Sequence, residues 1–135
     1  MLFRSRTSEY FGELVRCCAD LGGKFIVLGS PKQRNRMEGV SHAQACDYAL
    51  EVLRPAVRWA EERGVTVCFE PLAPSETDFI NTAREARELV AAVGSRSLQI
   101  ILDVKAMSSE GRPIPEIIRE SRGAFAYFQI GRAHV

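Results

Sequence analysis

Two short apolar runs in this chain each end in a single carboxylate. The run over 65–69 stops at Glu70, and the run over 98–102 stops at Asp103, 33 positions further along the chain. This spacing corresponds to one strand–helix–strand unit, and neighbouring parallel strands end at the same edge of a sheet, where α/β folds carry their chemistry. Because two converging carboxylates repel each other unless a cation or a shared proton holds them, the pair predicts half of a divalent-metal site.

The composition is typical of a single soluble domain with a hydrophobic core. The 135 residues are 46% hydrophobic and 26% charged, and the formal net charge is +1. The two signs of charge are interspersed, which disfavours nucleic acid and acidic membranes as partners. The N-terminal apolar stretch is too short for a signal peptide, and no run approaches the roughly 18 residues of a membrane span. We therefore expect a cytoplasmic protein with neither a nucleic-acid nor a membrane partner.

The order of patterns along the chain indicates an α/β fold. Apolar runs predict four strands that start at residues 25, 65, 98 and 125, with a helix over 7–21 before them. Helical patterns separate the strands, and a loop over 105–113 and a short helix over 115–121 precede the last one. The loops after the strands are long and polar, as in a (β/α)8 barrel, but a complete barrel needs about 250 residues. We predict part of such a barrel, with about four parallel strands alternating with helices; a small open doubly wound sheet is the alternative.

Two capping boxes mark the starts of the longer internal helices. Ser41 with Gln44, and Thr82 with Glu85, have the spacing at which each side chain satisfies a free backbone N–H of the other residue. Pro55 lies within the first of these helices and is expected to kink or split it, since proline lacks the N–H that a helix interior requires.

Four cysteines and two aromatic residues are expected to pack in the core. The cysteines show neither the spacing of a zinc site nor a disulfide framework, and they fall on helix faces or in a strand. The residues are Cys17, Cys18, Cys46, Cys68, Tyr127 and Phe128.

The last six residues are expected to be a non-native tail. Residues 130–135 read Ile-Gly-Arg-Ala-His-Val, which matches the peptide translated from one frame of a common sequencing-library adapter. The match begins where a strand should run into a loop. We therefore assign the barrel to residues 1–129 and give His134 no function, with a natural polar tail as the alternative.

Four motifs at strand ends resemble the sugar phosphate isomerase/epimerase family, the xylose isomerase-like TIM barrels. The resemblance covers about residues 5 to 129, and the motifs are Gly29–Arg34, Phe69–Leu72, Phe79–Thr82 and Leu102–Lys105. It implies that the four strands are the fourth to seventh of a barrel whose first three strands and eighth strand are not in this chain.

The resemblance also implies a metal site. In that family the residues at the positions of Glu70 and Asp103 bind a divalent ion, Mn²⁺, Mg²⁺ or Zn²⁺. The third ligand is often a His on the next strand, where this chain has Gln129, whose amide oxygen is a weaker ligand. Ketose 3-epimerases of the family tend to carry a His where this chain has Ala106, whereas Glu76 matches a position that contacts the sugar. The family's fourth ligand, a Glu on the last strand, has no counterpart here.

Two lysines complete the expected substrate contacts. Lys32, in the polar segment Lys32–Arg34, offers a cation for a phosphate or an acidic sugar group, and Lys105 follows Asp103 closely enough to reach a substrate. For both lysines, a position on the solvated surface is the alternative. With Glu76 they form the predicted substrate-binding set.

These features favour a metal-dependent isomerase or epimerase of a sugar or sugar phosphate. A divalent ion held by Glu70 and Asp103 would polarise the substrate oxygens and stabilise an enediolate, while Glu70 moves the proton. Epimerisation needs a second acid–base group on the opposite face of the substrate, which in the family is the missing last-strand Glu. We therefore expect this chain to be inactive or nearly so on its own.

Two other functions remain open. An apurinic endonuclease of the same superfamily would use clustered zinc on DNA, and it predicts His-rich strand ends and a basic face. This chain has one histidine outside the tail, His42, which is expected on the surface in the first turn of a helix. The other alternative is a non-catalytic half-barrel whose exposed sheet edges drive homo-oligomerisation.

Overall fold

The computed structural model describes residues 2–131, and helices and strands alternate along them. The expected non-native tail therefore lies mostly outside the described residues, and that assignment stays a prediction. The elements are α1 (Leu2–Asp20), β1 (Phe25–Leu28), α2 (His42–Arg63), β2 (Thr66–Phe69), α3 (Ala83–Val93), β3 (Leu98–Asp103), α4 (Val104–Ser108), α5 (Ile114–Glu120) and β4 (Phe125–Gln129).

The four strands form one parallel sheet in the order β1-β2-β3-β4. Each strand thus pairs with the next one along the chain, whereas a doubly wound sheet reverses its strand order at a switch point. The sequential order confirms the prediction of part of a (β/α)8 barrel. Leu28 at the end of β1 pairs with Phe69 at the end of β2, and Asp103 at the end of β3 pairs with Gln129 on β4.

The core lies between the sheet and the helices. Alternate strand residues, Val67 and Phe69 on β2 and Ile100 and Leu102 on β3, pack in one buried cluster with the apolar faces of α2 and α3. Successive strand side chains point to opposite faces, so this alternation directs one face of the sheet towards the helices. The core thereby holds the ends of β2 and β3, where Glu70 and Asp103 lie, next to each other.

Both capping boxes are confirmed, but Pro55 does not split its helix. The Ser41 hydroxyl accepts from Gln44 N–H and the Gln44 side chain from Ser41 N–H; Thr82 and Glu85 form the same reciprocal pair. α2 runs through Pro55 as one helix of 22 residues. Its buried face continues on both sides of the proline, so packing against the core keeps the two halves together despite the lost N–H donor.

The element boundaries differ from the sequence expectation by more than one residue in two places. α1 begins at Leu2 instead of residue 7. A short helix, α4, occupies part of the segment predicted as a loop, and the Asp103 side chain caps it by accepting from Lys105 N–H at 3.4 Å. Five residues are too few to show a helical period in the sequence, which is why this helix was not predicted.

The prediction that all four cysteines are buried is wrong. Cys68 is buried, Cys18 and Cys46 are half-buried, and Cys17 is exposed. Neighbouring residues on a helix point about 100° apart, so only one of Cys17 and Cys18 faces the core, and Cys18 is the one that packs against it. Burial raises the pKa of the Cys68 thiol to about 11.

The edge strands carry exposed apolar side chains. Phe25 and Val27 on β1 are 47% and 45% exposed, and Tyr127 and Phe128 on β4 are 43% and 38% exposed. The expectation that Tyr127 and Phe128 are core residues is therefore wrong for this chain, because neither side chain packs against the buried cluster that joins the sheet to the helices. The rings of Phe25 and Tyr127, at opposite edges of the sheet, lie 6.1 Å apart, which shows that the sheet curves as a barrel wall does.

Candidate active site

A cleft of about 540 Å³ lies at the carboxyl ends of the strands. All four strands contribute to it, as expected for a fold that places its site at this end of a parallel sheet. Its lining residues are Gly29, Glu70, Leu72, Glu76, Asp103, Val104, Lys105, Ser108, Gln129 and Gly131. The structure thus brings together five predicted site residues, Glu70, Glu76, Asp103, Lys105 and Gln129.

Lys32 is the predicted site residue that the structure does not bring into the cleft. It is exposed in the loop between β1 and α2, and it does not line the space between Glu70 and Asp103. A direct contact between Lys32 and a substrate held at the strand ends has no support in this geometry.

Glu70 follows β2 directly and is half-buried beside Gly29. A Cβ added at position 29 would collide with Oε2 of Glu70, so the absence of a side chain at Gly29 makes room for this carboxylate. Burial raises the pKa of Glu70, and the negative charge of Asp103 raises it further, while the positive charge of Arg34 opposes both effects. Glu70 therefore holds its proton to a higher pH than an ordinary glutamate.

Asp103 is buried at the end of β3, with 6% of its surface exposed. Its Oδ1 accepts from Lys105 N–H, and a Cβ added at Gly131 would lie 2.9 Å from the same oxygen. The strand register places Gln129 beside it on β4. A carboxylate held by a helix cap and by closely packed backbone keeps a defined position in the cleft.

Glu76 and Lys105, both predicted substrate contacts, bind each other across the cleft. Lys105 Nζ lies 2.8 Å from Oε1 of Glu76, and Oε2 of Glu76 accepts from Ala73 N–H at 3.2 Å. The hydrogen bond from Lys105 is the main reason that the pKa of Glu76 lies below its usual range. Glu76 therefore carries its charge at neutral pH and is compensated by Lys105.

The loop that carries Glu76 is closed by its own hydrogen bonds. The Asn81 side chain donates to Leu72 O at 2.8 Å and to Thr77 O at 2.9 Å, and Leu72 N–H donates to Ile80 O at 3.2 Å. Ile80 has a φ of 58°, in the left-handed region that a β-branched residue rarely adopts, and it is buried. These contacts keep Glu76 at the edge of the cleft.

Arg34 has a different role from the one the sequence predicted. It belongs to the basic segment expected to meet an anionic substrate, but its guanidinium turns inwards and donates to two backbone oxygens, those of Leu28 and Glu70. Burial lowers the pKa of Arg34 to about 10, so it remains charged at neutral pH. The sequence around an arginine in a polar loop does not indicate whether its side chain points inwards or outwards. The contact of Arg34 with the two strand ends was therefore not predicted from the sequence.

The donor atoms in the cleft suit a hard divalent cation. Glu70 and Asp103 supply carboxylate oxygens and Gln129 an amide oxygen, the ligand types that Mg²⁺, Mn²⁺ and Ca²⁺ prefer. A cation would relieve the repulsion that Asp103 exerts on the charged form of Glu70. Within residues 2–131, no group of three or more His, Cys, Asp or Glu side chains is placed to hold a metal ion. The ligand set in the described residues therefore has two charged donors, Glu70 and Asp103, and is a partial one.

The fold is part of a (β/α) barrel, because its parallel strands follow one another in sequence and its helices cover their outer face. The carboxylates at adjacent strand ends place the candidate site at the carboxyl ends of the strands. A comparison with models of protein families supports the same fold. The model described as xylose isomerase-like TIM barrel matches residues 3–134, and the chain belongs to this family.

Two curated relatives are sugar 3-epimerases. An L-ribulose 3-epimerase of Mesorhizobium japonicum is 26% identical over 131 residues, which cover 96% of this chain and 44% of the relative. A D-psicose 3-epimerase of Agrobacterium fabrum is 28% identical over 93 residues, which cover 67% of this chain and 32% of the relative. The chain therefore spans less than half the length of these relatives.

Solved structures share the fold. A structure of L-ribulose 3-epimerase matches with a TM-score of 0.84 at 24% identity, over 96% of this chain and 44% of that one. An AP endonuclease, family 2, from Brucella melitensis matches with a TM-score of 0.81 at 21% identity, over 94% and 48%. The IolI protein with a bound zinc atom matches with a TM-score of 0.69 at 22% identity, over 88% and 42%.

No helix in residues 2–131 is both long and apolar enough to cross a membrane.

Proposed function

We propose that this chain forms the metal-binding part of an isomerase or epimerase that acts on a sugar or sugar phosphate. The observation that carries the proposal is the meeting of Glu70 and Asp103, from the ends of adjacent strands, in one cleft with Gln129. The sugar 3-epimerase relatives support the substrate class. We place the activity in the cytoplasm, where sugars and their phosphates are available as substrates.

Glu70, Asp103 and Gln129 are the residues that would hold the divalent ion. When bound, such an ion polarises carbonyl and hydroxyl oxygens of a substrate and makes the neighbouring carbon more acidic. The carboxylate and amide oxygens favour Mn²⁺ or Mg²⁺ over Zn²⁺, because zinc sites are typically rich in nitrogen and sulfur ligands.

Glu70 is the group we assign to proton transfer. Its carboxylate lines the cleft at the strand ends beside Asp103, where it would face the substrate carbon next to the polarised oxygens. In the proposed reaction Glu70 removes a proton from the carbon next to the substrate carbonyl, which yields an enediolate. Return of a proton to that carbon or to its neighbour then completes the epimerisation or the isomerisation.

Glu76 and Lys105 are assigned to substrate binding at the edge of the cleft. Their ion pair presents an acceptor and a donor side by side, which suits the hydroxyl groups of a sugar. Lys105 is 63% exposed at its side chain, so it is free to turn from Glu76 towards a phosphate group on the substrate.

Epimerisation requires a second acid–base group on the opposite face of the sugar. Within residues 2–131 the carboxylates lining the cleft are Glu70, Asp103 and Glu76, and the proposal assigns the latter two to the metal and to Lys105. We therefore expect the isolated chain to bind the metal but not to turn over sugars. Turnover of a ketose at an ordinary enzyme rate by the purified chain would contradict this assignment.

Calorimetric titration of Mn²⁺ tests the proposed site. We expect saturable binding to the wild-type chain and its loss in Asp103→Asn, which keeps the side-chain shape but removes the charge. Asp47→Asn is the matched control, because Asp47 is exposed on α2 and does not line the cleft. Equal binding by the wild type and Asp103→Asn would rule out the strand-end site.

The endonuclease alternative receives less support. Its solved relative is 21% identical, which shows the fold alone. His42, the single histidine within residues 2–131, is exposed at the start of α2 with its ring 5.5 Å from that of Phe79, and it does not line the cleft. Incision of a duplex that contains an abasic site, by the purified chain with Zn²⁺, would reverse this preference.

A homo-oligomer is also part of the proposal. β1 and β4 each have one neighbouring strand, and both expose apolar side chains that a second copy would cover. Sedimentation velocity at micromolar concentration tests this point, and a monodisperse monomer would contradict it.

A further inference from the structure

Arg34 lies at the junction of two strand ends. One guanidinium nitrogen, Nη2, donates to Leu28 O at 2.7 Å, and the other, Nη1, donates to Glu70 O. Leu28 is the last residue of β1, and Glu70 is the first residue after β2. The planar fork of an arginine can bind two carbonyl oxygens at once, and here the two oxygens come from adjacent strands.

These hydrogen bonds hold the backbone of Glu70 on both sides. Glu70 N–H donates to Leu28 O at 3.1 Å, and Glu70 C=O accepts from Arg34. Leu28 O therefore accepts from Glu70 and from Arg34, which closes a small ring of hydrogen bonds just beyond the last paired residues of the two strands. The backbone pairing of β1 with β2 ends at this point. The hydrogen bonds from the Arg34 side chain hold the two chain segments together where the backbone pairing stops.

The guanidinium itself is held in place. Its Cζ lies 4.5 Å from the centroid of the Phe69 ring, a cation–π contact with the residue that precedes Glu70. The side chain of Glu70 is confined from the same loop, because its carboxylate packs against the backbone at Gly29. The segment from Gly29 to Arg34 thus contacts both the backbone and the carboxylate of Glu70.

We propose that Arg34 is a positioning residue that fixes Glu70 in the orientation needed to bind the divalent ion with Asp103. The inference rests on the proposed metal site for its consequence at Glu70. Outer partners of metal ligands typically change metal affinity by about 10- to 100-fold when they are mutated. We expect the loss of the Arg34 fork to weaken Mn²⁺ binding within that range.

The sign of the effect separates positioning from charge. The positive charge of Arg34 repels a cation bound at Glu70, so removing only the charge would strengthen Mn²⁺ binding. Removing the two-carbonyl fork releases the end of β2 and weakens binding. Arg34→Lys keeps the positive charge but loses the fork, whereas Arg34→Gln loses both. If Arg34 acts by positioning Glu70, both variants bind Mn²⁺ more weakly than the wild type.

The experiment combines Mn²⁺ calorimetry with amide hydrogen exchange of the metal-free chain. Wild type, Arg34→Lys and Arg34→Gln are compared with the control Arg36→Gln. Arg36 lies in the same loop as Arg34, and this substitution removes its exposed ion pair with Asp78. We expect weaker Mn²⁺ binding and faster exchange around Glu70 in both Arg34 variants, with exchange in α3 and β3 unchanged and Arg36→Gln like the wild type. If Arg34→Gln fails to fold, Arg34→Lys carries the comparison.

Three results would overturn the positioning role: unchanged Mn²⁺ affinity in Arg34→Lys, tighter binding in Arg34→Gln, or unchanged exchange around Glu70 in both variants. A wild-type chain that does not bind Mn²⁺ contradicts the proposed function instead. In that case the exchange comparison, which needs no metal, still decides whether Arg34 holds Glu70.

Discussion

Lys105 Nζ and Glu76 Oε1 lie 2.8 Å apart, although the two residues follow different strands of the barrel. Glu76 belongs to the loop after β2, and Lys105 belongs to α4 after β3. The ion pair links this loop to α4 across the cleft and keeps both charges at the edge of the cleft. A bound sugar would therefore have to compete with an existing partner for each side chain.

Glu76→Gln tests how much this ion pair stabilises the folded chain. Because the Lys105 side chain is largely exposed, we expect the free energy of unfolding to fall by less than about 1 kcal/mol in urea titrations. Glu88→Gln, which alters the exposed pair of Glu88 with Arg84 on α3, is the control. A loss well above that of the control would show that the pair is a structural element.

The contribution of Glu76 should also depend on pH. Its pKa lies below the ordinary value of 4.5 in the folded chain, so its stabilising effect is fully present above that pH and disappears as the pH falls through the folded-state pKa. We therefore expect the stability difference between the wild type and Glu76→Gln to be constant near neutrality and to shrink in acid. A difference that grows on acidification would contradict the direction of this shift.

Gly29→Ala tests the close packing against Glu70. The added Cβ collides with the carboxylate, which is the far end of a flexible side chain, so we expect the Glu70 side chain to turn away at a cost in stability of about 1 kcal/mol or less. Mn²⁺ affinity should then fall about tenfold or more by calorimetry. Ser30→Ala, an exposed neighbour in the same loop, should bind like the wild type. Unchanged affinity in Gly29→Ala would show that the position of Glu70 does not depend on Gly29.

Leu102→Ala tests the core beneath the site. Leu102 is fully buried on β3 next to Asp103, and removing its side chain leaves a cavity that costs about 2–5 kcal/mol in urea unfolding. Leu21→Ala is the matched control, because Leu21 is 83% exposed and its loss should change stability by less than about 0.5 kcal/mol. Similar effects of the two substitutions would contradict the described core.

Alkylation of the folded chain tests the placement of the cysteines. We expect iodoacetamide at neutral pH to modify exposed Cys17 and to leave Cys68 unmodified, since Cys68 is buried with a pKa of about 11 and only the thiolate reacts. Mass spectrometry of proteolytic peptides measures both sites, and labelling in urea provides the control in which both react. Rapid labelling of Cys68 in the folded chain would indicate that β2 is not buried as described.

Much of the fold could be predicted because its signals are local. The capping boxes at Ser41 and Thr82 and the apolar runs of the strands depend on residues within a few positions of one another. The α4 helix was not predicted because five residues are too few to show a helical period. The unbroken course of α2 through Pro55 was not predicted because it depends on packing against the core.

The sequence by itself determined that four parallel strands alternate with helices and that Glu70 and Asp103 end adjacent strands, since the parallel order places these carboxylates at one edge. Only the tertiary structure decided that Arg34 turns inwards, that Glu76 pairs with Lys105, and that Lys32 stays outside the cleft. The physical reason is that strand ends are positioned by backbone periodicity. The direction of a long side chain in a loop instead depends on which hydrogen-bond and charge partners the folded chain brings near it.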